Sequence, residues 1–313
     1  MGDLMHALPA INEAKDNISE IEFDWVVDKN FQSVPKWHPA VNRTIETNHR
    51  EWKLNIFSSN SRTAIKDVLE KINEQKYDLV IDMQNNLKSA FLSYLIKDDV
   101  IGLDAKSSRE FPAHMAYKTK FNVSKDLHAI ERQKQLLSKA LGYTHTTNEV
   151  NYGVSKNYFT SPDIKLPDRY AVCVQNASWP TKQWTIQNWE LLVKKLEETG
   201  IQLLFPSGNQ EEFNRASEIC LNSKNAIALN IMPLDQVAFI LDRAQFAICS
   251  DTGLAHLSAV TGTPSLTLYG PTKTSLIGTK GVDQYHLTGD ESDINKISVE
   301  KVLSKISELN FLN

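Results

Sequence analysis

The chain has 313 residues, 41% of them hydrophobic and 23% charged, with a net charge of −4. That is long enough for two domains of ordinary size, and it holds no apolar run near the ~20 residues of a membrane span. The acidic balance gives no reason to expect nucleic-acid binding. Cys173, Cys220 and Cys249 are odd in number and far apart, which predicts buried free thiols in a reducing compartment. No export signal opens the sequence and His6 breaks a myristoylation motif, so a cytoplasmic protein is expected.

The opening "MGDLMHALPA" is a Gly-Asp turn running into an apolar-periodic helix, with Leu4, Leu8 and Ile11 on its buried face and Pro9 tolerated near the start. "EFDWVVDK" (22–29), "YDLVIDMQ" (77–84) and "DVIGLDA" (99–105) predict strands, and "RTAIKDVLEKINEQK" (62–76) a helix between them. "HAIERQKQLLSKALGY" (128–143) predicts a helix stopped at Gly142. A polar segment with two prolines follows, and the boundary is placed so that 1–155 and 156–313 form separate domains.

The second half alternates more cleanly, with strands at 169–177, 201–208, 226–230, 245–251 and 264–270. Helices are expected at about 186–199, 210–222, 234–243 and 253–261, and a last amphipathic one at 298–312. Alternating strands and helices predict a parallel sheet in each half, with ligands at the carboxyl ends of the strands.

Those strand ends carry the candidate chemistry. Asp251, Thr252 and Gly253 join a strand to a helix, with His256 one turn on and Tyr269-Gly270-Pro271-Thr272 at the next strand end. Asp251 reads as that helix's cap, and the pair of turns also suits a diphosphate or sugar hydroxyls. Asn176, Ser178, Thr181 and Lys182 follow an earlier strand, where the lysine could neutralise phosphate oxygens. Ser207, Gly208 and Glu212 start another helix, and Met232 stands at a further strand end, open to packing or to a purine face. The glycine-rich phosphate loops, a GxSxG elbow, an HExxH pair and a Cys/His cluster are absent from the sequence.

Together "GDLMHALPAI" (2–11), "FDWVVDKNFQSVPKWHPAVNRTI" (23–45), "DLVIDMQNNLKSA" (78–90), "HAIERQKQLLSKALGY" (128–143) and "SDTGLAHLSAVTGTPSLTLYGPT" (250–272) resemble the lipopolysaccharide heptosyltransferases of glycosyltransferase family 9. The segment at 23–45 favours the branch adding the first heptose over the second-heptose and other core transferases, while an inactive binding-only form is the alternative on which the start of the sequence bears. The resemblance implies a GT-B fold of two Rossmann-like domains and an inverting transfer without an obligatory metal or other cofactor. It implies ADP-L-glycero-D-manno-heptose as donor in the second domain and Kdo-lipid A as acceptor in the first. A monomer at the cytoplasmic face of the inner membrane is expected. By matching position, Asp3 is the general base. Ser178, Thr181, Lys182, Glu212, Met232, Asp251, Thr252, Gly253 and His256 bind the donor, and Ala177 departs from the family's usual hydroxyl. Arg50, Trp52, Lys53, Lys88, Arg109 and Arg132 are the expected acceptor contacts. In the family a strand and a lysine-containing turn precede the Gly-Asp, so about ten residues ahead of Met1 are expected to be missing.

Overall fold

The computed structural model describes residues 1–48, 52, 58–146 and 150–312. The chain divides into two compact units, Asp3–Ser155 with Met1, and Lys156–Asn313 with Gly2.

The first unit opens with α1 (Gly2–Asn17), which continues through Pro9 instead of placing it at the helix start. β1 (Phe23–Asp28), the short α2 (Ser33–Lys36) and β2 (Val41–Thr47) follow, and β1 and β2 pair in parallel. Next come α3 (Ser59–Asn73), β3 (Val80–Ile81), α4 (Leu87–Leu95), β4 (Val100–Leu103), β5 (Thr119–Phe121) and α5 (Ala129–Leu141). β3, β4 and β5 form a second parallel sheet in that order. Asn86 caps α4 with a capping box, and Gly142 ends α5 at φ 79° in the left-handed region.

The strands of this unit therefore fall into two separate groups. Among the described residues β1 pairs only with β2, and β3 only with β4. A cavity of about 700 Å³ is lined by both β1 and β3, with Ile11, Phe23, Trp25, Val80, Ile81 and Leu92 on its wall.

The second unit holds one six-stranded parallel sheet. Its elements are β6 (Tyr170–Val174), α6 (Ile186–Leu196), β7 (Gln202–Phe205), α7 (Gln210–Cys220), β8 (Ala226–Ala228), α8 (Leu234–Asp242), β9 (Phe246–Ser250), α9 (Gly253–Thr261), β10 (Ser265–Tyr269), α10 (Thr274–Ile277), β11 (Gln284–Thr288) and α11 (Val299–Glu308). The spatial order is β11-β10-β9-β6-β7-β8, the doubly wound arrangement in which the winding reverses between β6 and β9. β6, β9 and β10 are buried along their whole length, which is why they are near-continuous apolar runs.

Between this sheet and its helices, Trp184 and Trp189 meet edge to face at 5.3 Å and Trp189 meets Phe205 at 5.8 Å. All three side chains are fully buried. Each aromatic contributes up to about 4–6 kcal/mol of burial at ~25 cal/mol per Å². The cysteines are free, and burial raises their thiol pKa values: Cys220 and Cys249 to about 12, and Cys173 well above the ordinary thiol value. Each unit is an α/β assembly on parallel strands, as the alternation of strands and helices predicted.

Candidate functional site

In the second unit the site lies where the winding reverses, the position at which open parallel sheets bind ligands. Val174 of β6 is level with Cys249 of β9, so Gln175–Asn176 and Ser250–Asp251 leave the sheet side by side. After β6 the chain makes a short 3₁₀ turn, Pro180–Lys182, which brings Lys182 back to the sheet end. The Lys182 ammonium meets Asp251 at 2.8 Å, with the lysine side chain 24% and the aspartate 7% exposed. Thr272, beyond β10, donates its hydroxyl to the same carboxylate. Gly270 permits this convergence: a Cβ there would stand 3.0 Å from the Thr181 carbonyl.

Asp251 is thus not the helix cap that its position suggested. The N-cap of α9 is Thr252, which makes no side-chain capping bond, and Asp251 is turned to Lys182 and Thr272. An ammonium far away in sequence, that of Lys182, outcompetes the local backbone amide for a buried carboxylate. The first amides of α9, at Gly253 and Leu254, are left at the positive end of the helix dipole. His256 is buried one turn along.

At the end of β7, Glu212 accepts from the Gly208 amide at 2.7 Å, while Asn209 caps α7 by accepting from the Glu212 amide. Ser178 and Thr181 are exposed beside Lys182, and Met232 is half-buried in the turn before α8. Two buried atoms at these strand ends, Asn176 Oδ1 and Ser207 Oγ, have no hydrogen-bond partner among the described residues. A buried polar atom without a partner is destabilising by about 1–3 kcal/mol unless a ligand supplies one. Sequence reading noted both residues but gave them no role, because it is their burial that singles them out. It also passed over Arg215, which donates to the Gln175 carbonyl at 3.0 Å and the Trp184 carbonyl at 2.6 Å and so fixes the β6 end against α7.

In the first unit Asp3 lies in the first turn of α1, about half exposed, and pairs with Arg109 at 2.8 Å. Partial burial opposes its ionisation. The Arg109 charge and hydrogen bond, with smaller help from His6, outweigh that and hold the carboxyl below its ordinary pKa. Arg109 follows β4, and its amide is anchored to the Asn85 carbonyl at 3.2 Å. Arg132 on α5 donates to the Ser107 carbonyl at 2.5 Å, and its Nε is buried without a partner among the described residues. Burial, then the Arg109 charge, lowers the Arg132 pKa.

Lys88 is exposed in the first turn of α4. Trp52, expected as an acceptor contact, is 5% exposed within an apolar cluster with Ile45, Ile65, Val68, Ile72 and Leu92. Arg50 and Lys53 lie outside the described residues. Among the described residues no group of three His, Cys, Asp or Glu side chains is arranged to hold a metal ion.

Residues 65–306 match the family described as glycosyltransferase family 9 (heptosyltransferase). Lipopolysaccharide heptosyltransferase 1 of Escherichia coli is 34% identical over 310 residues, which cover 99% of this chain and 97% of the relative. The protein of the same name from Pseudomonas aeruginosa is 36% identical over 291 residues, covering 93% and 81%. A solved structure, E. coli heptosyltransferase WaaC with ADP, superposes with a TM-score of 0.91 at 33% identity over 99% of this chain and 97% of that one.

Proposed function

The chain belongs to glycosyltransferase family 9, and on that premise we propose that it moves L-glycero-D-manno-heptose from ADP-heptose to a Kdo residue of Kdo-lipid A, with inversion, in lipopolysaccharide inner-core synthesis. The observation that carries the reading is the convergence of Lys182, Asp251, Thr272 and the α9 amides on one point of the second unit's sheet, beside the unpartnered Asn176 and Ser207. Cations and helix amides at a sheet switch point suit a nucleoside diphosphate.

In this reading Asp251 is a positioning residue that holds the Lys182 ammonium, and Thr272 fixes the carboxylate. The ammonium has three N–H donors, so engaging Asp251 leaves others for the phosphate oxygens. As the C1–O bond to ADP breaks, charge builds on the diphosphate, and Lys182 and the α9 amides stabilise it. Asn176 and Ser207 orient the nucleotide, and the Glu212 carboxylate accepts a ribose or sugar hydroxyl. On the acceptor side Asp3 takes the proton of the attacking Kdo hydroxyl, and Arg109, Arg132 and Lys88 bind the acceptor's anionic groups.

A location at the membrane surface is part of the proposal. No described helix is long and apolar enough to cross a membrane. The support is an exposed apolar stripe on α4, Leu87, Phe91, Tyr94 and Leu95, with Phe111 and Met115 exposed on the segment that packs against that helix. Arg109 is two residues from Phe111, so the acceptor side of the unit adjoins surface suited to acyl chains. Incubation with ADP-heptose and Kdo-lipid A tests the function. Release of ADP with a heptosylated lipid of inverted anomeric configuration is expected, and failure to transfer to Kdo-lipid A in vesicles contradicts it.

A further inference from the structure

We propose that Arg109 is a transferable counter-ion: it pairs with Asp3 in the unliganded protein, and an anionic group of the acceptor draws it away and leaves Asp3 unpaired to receive the proton. The proposal rests on the reading of Asp3 as the general base and says what sets that base working.

The geometry is that of a pair built to exchange. Arg109 is fixed through its amide to the Asn85 carbonyl, but its side chain is 55% exposed and that of Asp3 is 44% exposed. Exposed ion pairs are held weakly, so a second anion exchanges into one readily. The neighbouring Glu110 does not compete, because its carboxylate accepts from the Leu87 amide at 2.9 Å.

Arg132 is close enough that the Arg109 charge lowers its pKa, and its buried Nε has no partner among the described residues. Arg109 alone of the two pairs with Asp3, while Arg132 donates to the Ser107 carbonyl. His6, on the same helix, also favours the ionised form of Asp3. His128 packs edge to face on His6 at 5.8 Å and is the N-cap of α5, one turn before Arg132. A carboxylate or phosphate arriving here meets the exposed, exchangeable guanidinium of Arg109, with the Arg132 charge close behind it.

The exchange has a chemical consequence. With Arg109 on it, Asp3 is held below its ordinary pKa and is a weak base. Once Arg109 has moved to the acceptor, Asp3 keeps its partial burial without its strongest cation, and the burial then favours uptake of a proton unopposed by that charge. The acceptor oxygen then bonds to C1 as the C1–O bond to ADP breaks. That bond's electron pair leaves with the diphosphate, and the hydroxyl proton passes to Asp3. Without an acceptor the base stays masked, which also protects the donor from attack by water.

Two measurements test this. The Asp3 carboxyl is titrated by ¹³C NMR alone, with free Kdo and with Kdo methyl ester, which lacks the charge. The carboxylate form is expected to raise the Asp3 pKa by about one unit and the ester to leave it in place. Equal titrations in all three samples overturn the proposal without requiring turnover. In kinetics, the acid limb of kcat should lie at higher pH than that of kcat/KM for the acceptor, because the first reports the complex and the second the free enzyme.

R109Q should raise the acceptor KM at least tenfold and merge the two limbs, and R109K should restore part of the separation. Coincident limbs in the wild type, or separated limbs in R109Q, overturn it. An inactive D3N with coincident wild-type limbs sinks only the exchange, whereas an active D3N sinks the base assignment itself.

Discussion

Replacing Lys182 with Met removes the cation from a carboxylate that is only 7% exposed. At 2.8 Å and an effective dielectric constant near 20, the direct attraction of the pair is about 6 kcal/mol, most of it offset by the desolvation of both groups. Fully buried pairs lose about 3–5 kcal/mol when one partner is deleted, and surface pairs less than about 1. Lys182 is 24% exposed, and Thr272 still donates to the stranded carboxylate, so a loss of about 2 kcal/mol is expected. Lys182→Met, Asp251→Asn and the double variant form a cycle to be read by urea denaturation of the second unit's transition. The double variant should cost about 1–2 kcal/mol less than the sum of the singles. The same Lys182→Met should lower kcat by about 10²–10³, with kcat/KM falling equally, since the charge it meets develops in the transition state. Additive stabilities within about 0.5 kcal/mol, together with unchanged kcat, would refute both the coupling and the leaving-group role.

His38 is fully buried, and its Nδ1 accepts from the Ala40 amide at 3.2 Å. Burial, aided by the Lys15 charge, lowers its pKa from 6.5 to about 4. Above pH 6.5 the residue is neutral in both states. Between there and about pH 4 the unfolded chain takes up a proton that the folded one refuses, so stability should fall by roughly 3 kcal/mol across that window. Urea midpoints measured against pH should show this fall in the wild type and a much flatter slope in His38→Asn. A separate prediction concerns the cavity lined by β1 and β3: a β-branched segment of about six residues fused ahead of Met1 should enter it as a strand parallel to both. It should raise the melting temperature several degrees above that of an equally long Gly/Ser fusion, because two or three side chains each gain about 1.5–3 kcal/mol on burial. Equal melting temperatures would contradict it.

The second unit was legible because its strands are buried on both faces. YAVCV, FAICS and SLTLY are unbroken apolar runs, and Gly262 stops α9 in the left-handed region at φ 78° where the periodicity ends. β2 escaped notice because Asn42, Arg43 and Thr44 give it no apolar run, and Arg43 is committed to Asp24 of β1 instead. β11 is an edge strand, half-buried and polar, which depends on β10 for its register. In the site, the sequence marked Asp251 and Lys182 but could not pair them, since a cap is a local pattern and an ion pair between strand ends is not. The same holds for Asp3 and Arg109, which were assigned to proton transfer and acceptor binding separately, although a single hydrogen bond joins them. Trp52 was read with the basic residues around it, whereas an indole flanked by Ile45, Ile65 and Leu92 is held by apolar burial.

The most direct test of the assignment is the single-turnover rate of heptose transfer by Asp3→Asn, measured with saturating ADP-heptose and Kdo-lipid A alongside the dissociation constant for ADP. The substitution keeps the size of the side chain and removes its ability to take a proton. The account predicts a fall of about 10²–10⁴ in rate with ADP affinity unchanged, because Asp3 belongs to the first unit and the nucleotide groups to the second. Transfer at close to the wild-type rate would contradict it.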